Sequence, residues 1–308
     1  MEIIHLTYGK SIPKFKPFVL AIGFFDGLHL GHLSLVRKAK NYANEKKVAS
    51  ALMTFEPNPL ITLGKMKEEH YLTSYQDRAE ILEKEAIDYL IIVEFSKEVS
   101  QLSPADFYNA FIQPFSIKGL VCGFDYHFGK MGKGSGKDFE ELSHHQFPVF
   151  IQEEVQFQNQ KISSTRIHQD LVEGKVEEVH TLLTRPYRIK GEVIKGRQIG
   201  RTIGFPTANV AYGSYAIPKN GVYGVKVKIK DQEYIGMCNI GYNPTFDKLD
   251  HPSLEVNIFD FSEDIYHQVV EVYFYFFVRD EVKFASPNHL VEQLKKDRQT
   301  IKDYFDKN

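Results

Sequence analysis

Two histidines three positions apart are the first candidates for chemistry, in Gly23-Phe24-Phe25-Asp26-Gly27-Leu28-His29-Leu30-Gly31-His32. An apolar run, Phe18-Val19-Leu20-Ala21-Ile22, precedes them and an amphipathic segment follows. A strand, a glycine-punctuated turn and a helix start make a phosphate-handling arrangement. Gly27 and Gly31 admit close backbone approach, the helix start offers unpaired N–H groups, and His29 and His32 add side-chain donors.

Three later passages can join this turn. Thr54-Phe55-Glu56-Pro57-Asn58-Pro59 ends an apolar run in a rigid polar loop. Gly123-Phe124-Asp125-Tyr126-His127-Phe128-Gly129 mixes aromatic faces with polar tips, which suits a flat ring. Ile162-Ser163-Ser164-Thr165-Arg166 puts hydroxyls at a helix start and a cation in its first turn. That cation opposes the helix dipole, so an anionic ligand would account for it. Alone, the three hydroxyls read as ordinary caps; beside the histidine turn, the functional reading overtakes that one.

A second centre lies at Gly196-Arg197-Gln198-Ile199-Gly200-Arg201-Thr202-Ile203-Gly204-Phe205-Pro206-Thr207-Ala208-Asn209. Three glycines at four-residue spacing permit a backbone wrap around phosphate. Thr207 and Asn209 are neutral oxygen donors two apart, suited to Mg²⁺ that keeps waters and substrate phosphates as its other ligands. Glu255 alternates with Leu254 and Val256, so it faces away from what those two bury. A carboxylate there can accept a hydroxyl proton if it faces a cavity, and is a solvated strand residue if it does not. The loop-like 129–137 lacks the glycine a Walker A motif needs at Met131, and Asp138 follows Lys137 where Ser or Thr is required. It reads as a basic flap or as a solvated loop.

The elements that must position these groups differ between the two halves. From 19 to 183, short apolar runs at 19–22, 49–55, 89–93, 120–122 and 149–151 alternate with helical periodicity, the pattern of an α/β domain around a mostly parallel sheet. Ligands bind such sheets beyond the carboxyl ends of the strands, where the histidine turn falls. After Arg185-Pro186 the period becomes 2, over 187–194, 222–229, 254–259 and 269–278, which predicts a compact antiparallel barrel or sandwich. Ser286-Pro287 opens a last helix with Leu290, Leu294, Ile301 and Phe305 on one face. The boundary near 184–187 gives domains 1–185 and 186–308.

With 308 residues, 43% of them hydrophobic, the chain can bury two cores; a formal net charge of −2 gives no electrostatic case for nucleic acid. Cys122 and Cys238 sit in apolar surroundings and read as buried thiols of a cytoplasmic protein. The first residues lack a signal-peptide pattern, and the longest apolar run, 269–278, is interrupted by Glu271 and too short to span a bilayer.

In motif order and spacing the chain resembles the bifunctional prokaryotic riboflavin kinase/FMN adenylyltransferase (FAD synthetase) family, from about residue 15 to 305. The resemblance rests on Gly23–His32 with its His-x-Gly-His end, 55–59, 123–129 and 162–167. In the second half it rests on the Gly-Phe-Pro-Thr-Ala-Asn end of 196–209, on 236–241 through Pro244-Thr245-Phe246, and on 255–261. It implies an N-terminal Rossmann-like nucleotidyltransferase domain and a C-terminal riboflavin kinase-like β-barrel with a terminal helix. It also implies two reactions: riboflavin and ATP to FMN and ADP, then FMN and ATP to FAD and pyrophosphate. Glu255 would be the kinase base; Thr207 and Asn209 would hold Mg²⁺ and phosphates, with Gly196, Gly200, Arg201 and Gly204 around the nucleotide. His29, His32 and Arg166 would steady the departing pyrophosphate, and Gly23, Phe25, Gly31, Ser163, Ser164 and Thr165 would bind ATP. Asn58, Asp125, Tyr126 and Phe128 would lie at the flavin. Partners would be ATP, riboflavin and FMN, with no nucleic acid or membrane, in a monomer or weak homo-oligomer. Asn58, Met131 and His168 depart from the family's commonest pattern, which has His, Gly and Arg there.

Overall fold

Six strands pair in parallel in the first half of the chain: β1 (Glu2–Leu6), β2 (Phe18–Ile22), β3 (Ala49–Glu56), β4 (Tyr89–Glu94), β5 (Ile117–Gly123) and β6 (Val149–Gln152). Their order across the sheet is β1-β4-β3-β2-β5-β6. The computed structural model describes residues 1–196, 199–242 and 252–307, and the chain divides into two compact units, Met1–Ser164 and Thr165–Asn308.

Every residue of β2 is buried, as a central strand covered on both faces requires. Phe18, Leu20 and Ile22 join Met53, Ile91 and Phe107 on one face, while Val19 and Ala21 join Leu52, Leu90 and Ile92 on the other. Helix α1 (Leu30–Lys46) lays Val36, Ala39 and Ala43 on that second face, the stripe its periodicity predicts. Each fully buried Leu or Ile contributes ~1.5–3 kcal/mol to holding the layers together. β2 has β3 on one side and β5 on the other, so the chain reverses its direction of travel across the sheet at β2/β5. The crevice at such a switch point is where α/β sheets bind ligands. Gly23 follows β2 and Gly123 ends β5, which brings two of the candidate passages to that crevice.

In the second unit, six antiparallel strands close into a barrel, which decides between barrel and sandwich. They are β7 (Tyr187–Ile194), β8 (Ala208–Ala211), β9 (Gly221–Ile229), β10 (Gln232–Gly241), β11 (Ser253–Ile258) and β12 (Val269–Arg279), in the order β7-β8-β11-β10-β9-β12. Tyr187, Ile189, Tyr223, Val225, Cys238, Val256 and Phe274 are buried, at 0–1% exposure. A helix at Val176–Leu183 packs on β7 and β12. The last helix, α2 (Pro287–Lys307), covers a second apolar cluster of Phe205, Val222, Met237 and Phe276, with Ile301 as its buried contact and Leu294 and Phe305 beside it. Asp297, 2% exposed, pins it: Arg279 at the end of β12 donates to both of its carboxylate oxygens, and Gln293 to one.

Candidate active sites in the two units

In the first unit, the turn after β2 owes its shape to a neighbouring segment. Phe25 and Leu28 take left-handed backbone at φ 56 and 40°, and Gly27 at 81°. Buried Asp26 accepts from the backbone N–H of Leu72 and Thr73, and Gly27 N–H donates to the Thr73 hydroxyl. Arg78, 3% exposed, donates to the Phe24 carbonyl at 3.1 Å and the Thr54 hydroxyl at 2.9 Å, with the Phe24 and Tyr71 rings against its guanidinium. Neither Thr73 nor Arg78 stands out in the sequence, because what they hold lies 46 and 54 residues away.

His29 is the N-cap of α1: its Nδ1 accepts from the backbone N–H of His32 at 3.3 Å. In the neutral ring that bond places the proton on Nε2, leaving Nε2–H as a donor. The two imidazoles stack with centroids 3.6 Å apart. Burial pushes the His32 pKa well below its ordinary value, with the charges of His29 and Arg78 adding to the effect, so His32 is neutral at neutral pH. A Cβ on Gly31 would come within 3.2 Å of the His29 ring, so glycine leaves the stack its room.

A cavity of about 990 Å³ opens beside this turn, lined by Gly23, Phe25, His32, Asp125, Tyr126 and Phe128 among others. Phe128 stacks on Phe139 at 4.2 Å, and the buried Tyr126 hydroxyl has no hydrogen-bond partner among the described residues. Asp125 is paired with Lys161. Asn58 is buried and its Oδ1 caps the short helix Pro59–Thr62 by accepting from Leu60 N–H; its neighbour Pro59 is the residue that lines the cavity. The 129–137 passage carries a small hairpin, His127–Phe128 against Gly134–Ser135, with Lys130 and Met131 at the cavity. Met131 takes φ 59° and is 86% exposed, a conformation glycine would adopt without strain. Ser164 donates to the Asp26 carbonyl at 2.9 Å, tying the helix start to the histidine turn, with Ser163 just before it. Thr165 and Arg166 fall in the second unit, where the Arg166 guanidinium lies 3.8 Å from Asp170 one helical turn on; the opposed cation thus has an anion in its own helix.

In the second unit, the strand register gathers Thr207, Asn209 and Glu255. Asn209 on β8 and Asn239 on β10 flank Glu255 on β11, all three directly opposite one another and so on one face. Leu254 and Val256 are 1% exposed while Glu255 is half-buried, as the alternation predicts. The Thr207 hydroxyl donates to Glu255 Oε2 at 3.2 Å. A Cβ on Gly200 would fall 2.2 Å from the Phe205 backbone carbonyl, so close approach requires that glycine, while one on Gly196 would fall 2.1 Å from the Asn209 side-chain amide and displace it. Gly204 takes φ 81°. Arg197 and Gln198, and the Pro244-Thr245-Phe246 passage, lie outside the described residues.

Two cavities of about 380 Å³ each have Thr207 in their lining. One lies between the outer barrel face and α2, lined by Phe205, Asn239, Glu255, Asn257 and Leu294; the other is lined by Arg201, Pro206, Phe261 and Tyr266. Among the described residues no cluster of three or more His, Cys, Asp or Glu side chains could hold a metal. Thr207 and Asn209 offer two neutral oxygens beside the Glu255 carboxylate, a donor set that suits a hard cation keeping waters and phosphate oxygens as its other ligands. Cys122 and Cys238 are free and buried; burial pushes the Cys122 thiol up to about 12 and the Cys238 thiol higher.

Residues 11–166 match the FAD synthetase family and residues 183–305 the riboflavin kinase family. The bifunctional riboflavin kinase/FMN adenylyltransferases of Listeria monocytogenes and Bacillus subtilis are each 40% identical to this chain, covering 100% and 99% of it and 99% and 98% of their own lengths. The chain belongs to the bifunctional riboflavin kinase/FMN adenylyltransferase family. A solved structure titled as a macrolide-efflux protein from Streptococcus pneumoniae matches it with a TM-score of 0.89 and 35% identity, over 98% of this chain and 99% of that one. Among the described residues no helix is long and apolar enough to cross a membrane. The two half-chain matches cover the two candidate sites in order, the histidine turn in the FAD synthetase half and Thr207–Glu255 in the riboflavin kinase half.

Proposed function

We propose that the second unit transfers the γ-phosphoryl group of ATP to the ribityl 5′-hydroxyl of riboflavin, and that the histidine turn then joins the resulting FMN to the AMP part of a second ATP. The observation that carries this division is a difference in the groups each site offers. An alcohol acceptor must lose a proton as the new P–O bond forms, and Glu255 supplies a carboxylate next to a cavity. In FMN the acceptor is already an anionic phosphate oxygen. The histidine turn accordingly offers donors: an imidazole N–H, the start of α1 and the Ser164 segment. No proton has to be removed there; charge must be steadied on the departing pyrophosphate.

In the kinase site Thr207 lines both cavities, which puts the acceptor on the Glu255 side and the nucleotide on the Arg201 side, with the γ-phosphoryl held beside Thr207. Glu255 takes the 5′-hydroxyl proton, the new P–O bond forms, and ADP leaves. Thr207 and Asn209 would hold Mg²⁺; when bound it offsets phosphate charge. In the first unit, the aromatic cavity wall of Tyr126 and Phe128 suits the flavin ring, and an imidazole N–H of the histidine turn donates to phosphate. Neither step needs a covalent enzyme intermediate, so positioning carries the rate. The two free buried thiols suit a reducing, cytoplasmic setting.

The co-products separate the two steps. With ATP, Mg²⁺ and riboflavin the first product is expected to be ADP in step with FMN; with FMN in place of riboflavin it is expected to be pyrophosphate in step with FAD. Flavin-independent release of inorganic phosphate, with neither product, would overturn the assignment.

A further inference from the structure

Two residues beyond Glu255, on the same outward face of β11, stands Asn257, which is 5% exposed. Its Nδ2 donates to the Pro206 carbonyl at 2.7 Å. A carbonyl only accepts, so that bond settles which way the amide points. The Oδ1 atom on its other side is buried and has no hydrogen-bond partner among the described residues. An unpaired buried acceptor is unfavourable and uncommon in folded proteins, and calls for something that completes it. Asn257 lines the cavity between the barrel and α2, together with Glu255 and Asn239.

We propose that Asn257 Oδ1 accepts a hydrogen bond from a secondary hydroxyl of the ribityl chain, and so fixes the polyol with its terminal hydroxyl on Glu255. This rests on the kinase reading of the site. Residues two apart on a strand are about 6–7 Å apart, so the donor must lie at about that reach from the reacting oxygen. The secondary hydroxyls of an extended ribityl chain lie along that reach, whereas the ring N–H sits at the far edge of the fused ring system. The same amide is bonded to the carbonyl just before Thr207, so one side chain sets the acceptor substrate against a residue that lines both cavities.

The test compares riboflavin with a flavin carrying an ω-hydroxypentyl chain, which keeps the reacting hydroxyl and lacks the secondary ones, in the wild-type chain and in Asn257→Leu. In the wild type the analogue is expected to show kcat/KM at least tenfold lower. In Asn257→Leu, kcat/KM for riboflavin is expected to fall about tenfold through KM, and the preference for riboflavin over the analogue to shrink by the same factor. A merely structural role would lower both flavins alike, so an unchanged preference overturns the proposal. Asn257→Ser carries the same comparison if the leucine variant does not fold. Wild-type protein that phosphorylates neither flavin would instead overturn the kinase reading beneath it.

Discussion

Glu255→Gln is expected to slow FMN formation from riboflavin by about 10²–10⁴-fold, the usual contribution of a positioned general base, while conversion of supplied FMN to FAD continues at the wild-type rate. Glutamine keeps the size of the side chain and an oxygen that can accept from the Thr207 hydroxyl, so the 3.2 Å contact has a replacement. What it removes is the ability to take the 5′-hydroxyl proton. The flanking register to Asn209 and Asn239 is backbone-defined and survives the change. Chromatography of the flavins in two parallel reactions reads both outcomes. A parallel fall in both reactions would contradict two separate sites, and an unchanged FMN rate would remove Glu255 from the chemistry.

The complementary change is at His29. His29→Ala is expected to lower FAD formation from FMN by about 10²–10³-fold, the cost of deleting one preorganised donor to developing charge, and to leave FMN formation intact. Alanine also removes the N-cap of α1, which costs about 0.5–2 kcal/mol of stability and would confuse the result. His29→Asn separates the two effects. Asparagine is a strong N-cap and can accept from His32 N–H, so thermal unfolding is expected near wild type, yet its short amide does not place a donor where Nε2–H stands. Loss of FAD formation in both variants, with melting restored only in His29→Asn, is the expected pattern. Recovery of the rate in His29→Asn would show that His29 acts as a cap alone.

Glu255 and His29 are both legible in the amino-acid sequence, and for physical reasons. The His29–His32 turn and the Gly-Phe-Pro-Thr-Ala-Asn end are local: their glycines, hydroxyls and imidazoles lie within a few residues of one another, and the flanking strand and helix carry their own periodicity. For Glu255 the alternation with Leu254 and Val256 gives the face it occupies, while the role of base comes from the family resemblance and not from the local pattern. What the sequence hides is set by distant partners. Strand β1 is a short edge strand in which only Ile4 and Leu6 are buried, too few to stand out. Strand β10 begins in the polar Gln232-Glu233 and takes its place from pairing with β9 and β11. Arg78 sits in the helix Tyr75–Lys84, and its tie to Phe24 and Thr54 depends on the sheet bringing them together. The place of Thr207 in the lining of both cavities and the buried Asn257 acceptor likewise exist only once the barrel closes and α2 lies across it. Asn58 shows the reverse: its loop is legible, while its commitment to capping Pro59–Thr62 follows from the backbone.

One time course tests the central claim, that two successive reactions on flavin are carried by one chain. The purified wild-type protein is given riboflavin, excess ATP and Mg²⁺, and the three flavins are separated at intervals. Riboflavin is predicted to fall from the start, FMN to rise and then decline, and FAD to appear after a lag and account for the flavin at the end. Riboflavin remaining unconverted, or FMN accumulating with no FAD formed, would contradict the account.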